Sequence, residues 1–182
     1  TEHNISYSQT FMDAAESSGV SPFHLASRAK QEVVTGSSSM SSSVSGTVVG
    51  YEGLYNFYNI GAYNSTAAGG AIANGLAWAA KSNTYSRPWN SPYRSIVGGA
   101  QYIGSNYINV GQNTLYLQKF NVTSSRTYNH QYMSNIEAPN SEGSKTVAAY
   151  GTDKTSMNIA FTIPVYKNMP SQACSVPSGG SN

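Results

Sequence analysis

Two proline-containing helix starts constrain the fold of this chain more than any other feature of its sequence. Ser21 stands at an N-cap position and Pro22 at the first helical position, and Asn90-Ser91-Pro92 opens a second helix in the same way. Apolar residues follow each start at spacings of three and four, which places them on one helix face. Further helices are predicted near 10–17, 66–81, 131–137 and 143–150, so we expect a mainly α domain.

Four other segments lack a clear helical period. Residues 114–122 are interpreted as extended or irregular, and the aromatic stretch 51–62 as a short strand or hairpin arm, although periodicity does not decide it. Seven serines among the ten positions 36–45 indicate a mobile loop, either a lid or a tolerated insertion. The Ser/Gly/Pro-rich stretch 169–182 is interpreted as a tail or linker, which predicts one domain over 1–168.

Composition excludes several classes of protein. Of the 182 residues, 10 are Lys or Arg and 8 are Asp or Glu, too few cations for a nucleic-acid-binding face. No apolar run approaches the roughly 20 residues of a membrane span. The single cysteine, Cys174, and the scattered histidines offer no disulfide and no zinc spacing, so we predict neither a metal nor a cofactor. We expect a monomeric mature domain, cut from a longer protein.

Neutral groups carry the polarity of this chain, with 29 Ser, 17 Asn and 14 Tyr. Hydroxyls and amides suit hydrogen-bonding ligands such as glycans. The alternative is that this composition reflects only a general tendency of extracellular proteins. Tyr58, Tyr63, Trp89 and Tyr93 are candidate platforms for sugar rings, because aromatic rings pack against the apolar faces of sugars. The alternative is that these aromatic residues belong to the core.

Glu32 is the strongest candidate for acid–base chemistry among the eight carboxylates. It shares one helix face with Leu25 and Ala29, so it ends an otherwise apolar stripe near the last turn of its helix. Lost hydration and the helix C-terminus both disfavour a negative charge there, which favours the protonated form that a general acid needs. The alternative is a carboxylate paired with Arg28 or Lys30.

Glu52 is the second candidate, twenty positions after Glu32 and beside the aromatic stretch. Two carboxyl groups flank the scissile bond in most glycosidases, about 5–5.5 Å apart in retaining enzymes and about 6.5–9.5 Å apart in inverting ones. The sequence spacing is compatible with such a pair and fixes no distance. The alternative role of Glu52 is structural, as an acceptor of backbone N–H groups at a turn.

Several motifs in order resemble the glucosaminidase domains of bacterial autolysins, in glycoside hydrolase family 73 of the lysozyme-like superfamily. The matching segments begin with SPFHLASRAKQE and YNFYNIGA. Three later segments, RPWNSPY, GGAQYI and GQNTLYLQKFNV, also resemble the clostridial-type branch of the family. The resemblance implies a secreted cell-wall enzyme with a lysozyme-like α+β fold, in which a helical lobe and a small non-helical or β lobe flank a groove. It also implies hydrolysis of the β-1,4 bond after N-acetylglucosamine in peptidoglycan strands.

The same resemblance assigns roles to individual residues. Glu32 matches the essential glutamate of the family, and Tyr58 and Asn59 lie in the segment that lines its cleft. Tyr102 and Tyr107, on a later helix, are predicted to turn their hydroxyls toward the groove.

One departure from the family concerns the second acid, which in many members follows the cleft segment. Asn64 occupies that region here, and no Asp or Glu lies between Glu52 and Glu137. Either Glu52 supplies the second carboxylate, or the 2-acetamido group of the substrate attacks the anomeric carbon. A lytic transglycosylase with the same glutamate and a non-catalytic wall-binding module remain as alternative functions.

Overall fold

Six α-helices dominate the part of the chain that the computed structural model describes, namely residues 4–67, 69–123, 127–132, 135–152 and 155–175. They are α1 Tyr7–Ser18, α2 Pro22–Val33, α3 Gly70–Ala80, α4 Pro92–Asn106, α5 Leu115–Phe120 and α6 Ala138–Ala149. Short 3-10 turns cover Ser42–Val44 and Ile108–Val110. The predicted fold class, a mainly α domain, is confirmed.

Local signals explain the ends of the first helices. The Ser6 hydroxyl accepts the Gln9 N–H at the start of α1, and Gly19 ends that helix with a left-handed φ of 70°. The Ser91 hydroxyl caps α4 in the same way by accepting the Arg94 N–H. Ser21 holds the N-cap position of α2, but its side chain makes no capping hydrogen bond, so Pro22 carries that start.

The core lies where α1, α2 and α4 meet the segment after residue 55. Its buried members include apolar residues from each helix, for example Ala14, Leu25 and Ile96, together with Phe57 and Tyr58. Glycine lets α4 approach this segment, because a Cβ atom at Gly99 would lie 2.2 Å from Cδ2 of Tyr58. The close packing fixes the position of the segment that carries Tyr58 and Asn59.

The region between α2 and α3 forms the small non-helical lobe. An isolated antiparallel bridge joins Val34 to Met40, and turns and coil make up most of the rest of its described residues. The stretch 51–62 contains turns and no strand. Its backbone N–H groups donate to other parts of the chain, for example Tyr55 N to Trp89 O and Asn56 N to Ser43 O, so the stretch does not pair as a hairpin arm.

Two predictions of local structure were wrong. Residues 115–120 form α5 where an extended or irregular segment was predicted, since the Thr114 hydroxyl accepts the Leu117 N–H and Asn121 ends the helix in a left-handed conformation. In the predicted helix at 131–137, the residues that the structure describes are coil or turn. The last helix begins at Ala138, five residues before its predicted start.

The chain divides into two compact units, residues 1–151 and 152–182. The first contains all six helices, and the described part of the second is mostly coil and turns with exposed apolar side chains such as Phe161 and Val165. The predicted domain boundary at 168 stays a prediction. None of the described helices is long and apolar enough to cross a membrane.

Candidate active site

A cavity of about 400 Å³ opens between the helical part of the first unit and its non-helical lobe. It brings together five residues that the sequence predicted as functional, namely Glu32, Tyr58, Asn59, Tyr102 and Tyr107. Isoleucines 60, 72 and 103 add apolar surface to the wall. A wall that mixes aromatic, apolar and amide groups suits a sugar ring, which has apolar faces and polar edges.

The Glu32 carboxyl group is held by two hydrogen-bond donors. The Tyr132 hydroxyl donates to Oε1 over 2.8 Å, and Nδ2 of Asn59 donates to Oε2 over 3.1 Å. Glu32 is half-buried at the next-to-last position of α2. Neither of the ion pairs considered as the alternative role of Glu32, with Arg28 or with Lys30, lies within 4 Å among the residues described. The carboxyl group is therefore oriented by neutral donors.

Asn59 reaches Glu32 because it lies in an unusual backbone conformation. Its φ is 50°, a left-handed value that asparagine tolerates better than most residues. Buried Asn56 closes the turn around it, since its Nδ2 donates to Ile60 O and Gly75 O and its Oδ1 accepts from Ile60 N. Nδ2 of Asn59 also donates to the backbone carbonyl of Glu32 over 2.9 Å, which ties this turn to the end of α2.

Tyr132 is held in place by its own contacts. Its backbone N–H donates to Gln118 O over 2.8 Å, and Cζ of Arg28 lies 4.0 Å from the centroid of its ring. Burial raises the pKa of its hydroxyl, an effect that Glu32 reinforces and Arg28 opposes. The hydroxyl therefore keeps its proton at neutral pH and acts as a donor to Glu32.

Tyr102 and Tyr107 also contribute phenol rings to the wall. Tyr107 stacks on His130 with ring centroids 4.4 Å apart, and Tyr102 packs edge-on against Trp78 at 5.4 Å. Burial raises the pKa of both hydroxyls, which are therefore neutral over the physiological range. The remaining phenol of the wall, Tyr58, is buried, and its hydroxyl has no hydrogen-bond partner among the described residues.

The structure does not bring Glu52 into this cavity. Glu52 lies at an exposed turn, where its Oε1 accepts the Gly50 N–H over 3.1 Å. Backbone hydrogen bonds, from Glu52 itself and from Gly50, hold the pKa of its carboxyl below the usual value. This is the structural arrangement that the sequence left open as the alternative for Glu52.

Three predicted sugar-binding aromatics also lie outside the cavity wall. Trp89 is fully buried in the core and donates its ring N–H to Tyr85 O over 2.8 Å, so it offers no face to a ligand. The Tyr93 hydroxyl donates to Asp13 Oδ2 over 3.3 Å, while Tyr63 is 66% exposed on the surface. Apolar rings with a polar edge satisfy a core and a sugar site equally well, so sequence alone did not separate the two roles.

Sequence reasoning missed Tyr132 and Gln118 as wall residues and considered Arg28 only as an ion-pair partner. Arg28 lies one turn before Glu32 on the same helix, and that spacing was the available signal. Tyr132 is separated from Glu32 by 100 positions, and no local pattern distinguishes it from the other tyrosines.

Comparison with known proteins identifies relatives of most of the chain. No family model matches it. A bifunctional autolysin of Staphylococcus epidermidis is 30% identical over 164 residues, which cover 86% of this chain and 11% of that protein. A β-N-acetylglucosaminidase of Bacillus subtilis is 29% identical over 164 residues, which cover 87% of this chain and 16% of that enzyme. The chain thus spans between a tenth and a sixth of these curated relatives.

Solved structures share the fold. The crystal structure of a major bifunctional autolysin matches with a TM-score of 0.52 and 27% identity, over 78% of this chain and 53% of that one. Autolysin E of Staphylococcus aureus, solved with the muropeptide NAM-L-Ala-D-iGlu, matches with a TM-score of 0.57 and 24% identity. That match covers 87% of this chain and 64% of autolysin E, so the architecture extends over most of the chain.

Proposed function

Because the chain belongs to the family of bacterial autolysins and β-N-acetylglucosaminidases, we propose that it hydrolyses the β-1,4 bond after N-acetylglucosamine in peptidoglycan. The B. subtilis relative is named a β-N-acetylglucosaminidase, and autolysin E was solved with the muropeptide NAM-L-Ala-D-iGlu. The matched region is 16% of the B. subtilis enzyme and 64% of the autolysin E chain, so the activity is proposed here for this chain on the basis of its own site.

One observation carries the proposal: a single carboxyl group, that of Glu32, lies in the cavity wall with a donor on each oxygen. Glu32 acts as the general acid, and its proton passes to the glycosidic oxygen as the bond from that oxygen to the anomeric carbon breaks. Tyr132 and Asn59 fix the direction of the carboxyl group, so less conformational freedom has to be lost when the reactive geometry forms. Tyr102 and Tyr107 contact the sugar.

The attack on the anomeric carbon proceeds without a second carboxylate. Among the described residues, no other Asp or Glu lines this cavity. The Glu52 carboxylate accepts the Gly50 N–H at an exposed turn outside it. The acetamido oxygen of the substrate therefore bonds to the anomeric carbon as the leaving group departs. A water molecule then opens that ring, giving its proton to the Glu32 carboxylate and its oxygen to the new reducing end.

A single carboxyl group also suits a lytic transglycosylase, our second candidate. In that reaction a hydroxyl of the substrate, in place of water, closes on the anomeric carbon and leaves a 1,6-anhydromuramic end. The two candidates differ in the chemical nature of the product end, which makes them separable by mass.

The test is digestion of purified peptidoglycan, followed by borohydride reduction and mass spectrometry of the soluble fragments. We expect reduced glucosamine ends. Anhydro ends would assign the transglycosylase reaction instead. A folded protein that binds insoluble peptidoglycan and releases no fragments would be a wall-binding module and would contradict both enzyme proposals.

Glu32→Gln is the matched variant for the same assay. Glutamine keeps the size of the side chain and cannot donate the acid proton, so turnover should fall by at least about 100-fold. Thermal unfolding of the variant serves as the control for folding. Rates near those of the unchanged protein would remove Glu32 from the mechanism.

We also propose that the protein acts as a monomer on the cell wall outside the cell, with no nucleic-acid or membrane partner. The cavity and all of its lining residues lie within one unit of a single chain, and the proposed substrate is a wall polymer. Sedimentation of the protein alone tests whether it is a monomer, and sedimentation with purified cell wall tests whether it binds the wall.

A further inference from the structure

Arg28 is a buried cation that does not form an ion pair with Glu32, the carboxylate closest to it on the same helix. It is 7% exposed and lies one helical turn before Glu32, the spacing at which an ion pair on one helix face is expected. Its guanidinium contacts other groups instead. Nη1 donates to Gln118 Oε1 over 3.1 Å, and the group lies 3.9 Å from Glu142 Oε2.

The closest aromatic contact of this guanidinium is the ring of Tyr132. Cζ of Arg28 lies 4.0 Å from the ring centroid, well within the range of a cation–π interaction. The rings of Tyr107 and Tyr132 also form a T-shaped contact, with centroids 5.8 Å apart. The ring is thus held by two neighbours, while its hydroxyl points at Glu32 Oε1.

From this geometry we infer that Arg28 is a positioning residue, which acts on the Glu32 carboxyl group through Tyr132. A guanidinium in direct contact with Glu32 would stabilise the ionised form, the wrong form for a general acid. Placed against the ring, the cation directs a neutral hydroxyl to the carboxyl group without pairing with it. The inference rests on the proposed role of Glu32 as the acid.

Gln118 completes the arrangement from α5. Its Oε1 accepts from Arg28, and its backbone carbonyl accepts the Tyr132 N–H, so one residue fixes both partners. Its Nε2 atom has no hydrogen-bond partner among the described residues. Gln118→Met therefore removes the contact with Arg28 at nearly constant volume and breaks no other side-chain hydrogen bond that the structure describes.

Steady-state kinetics on soluble glycan strands test the inference as a double-mutant cycle. Arg28→Lys keeps the positive charge and loses the planar guanidinium, and Gln118→Met releases that guanidinium. Each should lower kcat by about 2- to 30-fold, the rate equivalent of a cation–π contact, with KM nearly unchanged. In a Tyr132→Phe background neither substitution should lower kcat further, because the hydroxyl that Arg28 directs is gone.

Three kinetic outcomes would overturn the inference. Additive effects in the Tyr132→Phe background would mean that Arg28 acts on its own. A raised KM with unchanged kcat would make it a substrate-binding residue. A loss in Glu142→Gln equal to that in Arg28→Lys would assign the effect to the ion pair. Arg28→Lys and Gln118→Met disturb the same contact between Arg28 and Tyr132. If Arg28→Lys does not fold, Gln118→Met still tests the inference.

A spectroscopic readout separates this inference from the proposed function. The ¹³C carboxyl resonance of Glu32, assigned by its loss in Glu32→Gln, reports on the hydrogen bond from Tyr132. Arg28→Lys should displace it in the same direction as Tyr132→Phe does, whether or not the protein cleaves peptidoglycan. An unmoved resonance in Arg28→Lys would reject the positioning role, whereas an absence of soluble fragments would reject only the proposed function.

Discussion

Amide side chains, more than charges, shape the surroundings of the Glu32 carboxyl group. Asn59 donates to both the side chain and the backbone carbonyl of Glu32, and Asn56 holds the turn that presents it. An amide supplies a directed donor without the strong field of a cation, so it orients a carboxyl group while leaving it free to take up a proton.

Replacing Asn59 should reduce the rate and leave the fold intact. Asn59→Gly removes the donor to Glu32 while keeping a residue that accepts the left-handed φ of 50°. A hydrogen bond to a charged group contributes about 1.5–3 kcal/mol, so kcat should fall by about 10- to 160-fold. Asn64→Gly, at an exposed amide outside the cavity, is the control and should match the unchanged protein. Equal rates in both variants would show that Asn59 does not orient Glu32.

Glu52 should be dispensable for the chemical step. Its carboxylate accepts a backbone N–H at an exposed turn, away from the cavity wall, so Glu52→Gln should retain kcat within about two-fold. The assay is fragment release from purified peptidoglycan, run beside Glu32→Gln. A loss comparable to that of Glu32→Gln would restore Glu52 as the second carboxylate and rule out the acetamido route.

Individual helices followed local sequence signals closely where a cap or a proline marked their ends. The first helix ends at Gly19, and the starts at Pro22 and Pro92 are those that the sequence predicted. The six-residue helix α5 escaped prediction, because six residues cover less than two turns and show no hydrophobic period. Gln118 in this short helix accepts hydrogen bonds from the Arg28 guanidinium and from the Tyr132 N–H.

Two serines at helix starts provide a matched pair for a stability measurement. The Ser91 hydroxyl caps α4 by accepting the Arg94 N–H over 3.2 Å, whereas Ser21 makes no capping bond to α2. Ser91→Ala should therefore lower the free energy of unfolding by about 1 kcal/mol, and Ser21→Ala by clearly less. Chemical denaturation measures both. Equal losses would mean that the hydrogen bond between Arg94 N–H and the Ser91 hydroxyl adds nothing to the stability beyond the general effect of replacing a serine by alanine.

For the domain as a unit, sparse charge leaves few groups whose titration can affect stability, and His24 is the clearest of them. Burial, together with the charge of Arg28, lowers the pKa of His24 to about 4. Its ring atom Nε2 is buried without a hydrogen-bond partner among the described residues. The imidazole is therefore neutral in the folded protein at physiological pH.

Stability should fall as the pH drops from 6.5 to 4. The unfolded chain binds a proton at His24 below its ordinary pKa of 6.5, whereas the folded protein does so only near 4. The contribution is complete above pH 6.5 and its loss approaches about 3 kcal/mol at the acid end. Denaturation of the unchanged protein and of His24→Gln at pH 8 and 4.5 measures the difference. The same pH dependence in both proteins would contradict the assignment.

Local sequence signals were sufficient for the helical fold class and for the helix starts at Pro22 and Pro92, because caps and prolines act within a few residues. Face spacing singled out Glu32, which the structure places in the cavity wall, and its role as the acid stays a prediction. They did not separate Trp89 in the core from Tyr102 at the cavity, since both environments favour the same ring. They also did not find Tyr132, which meets Glu32 across 100 positions of chain. A hydrogen bond needs two atoms within about 3 Å, and that distance depends on how the helices pack, which no single segment encodes.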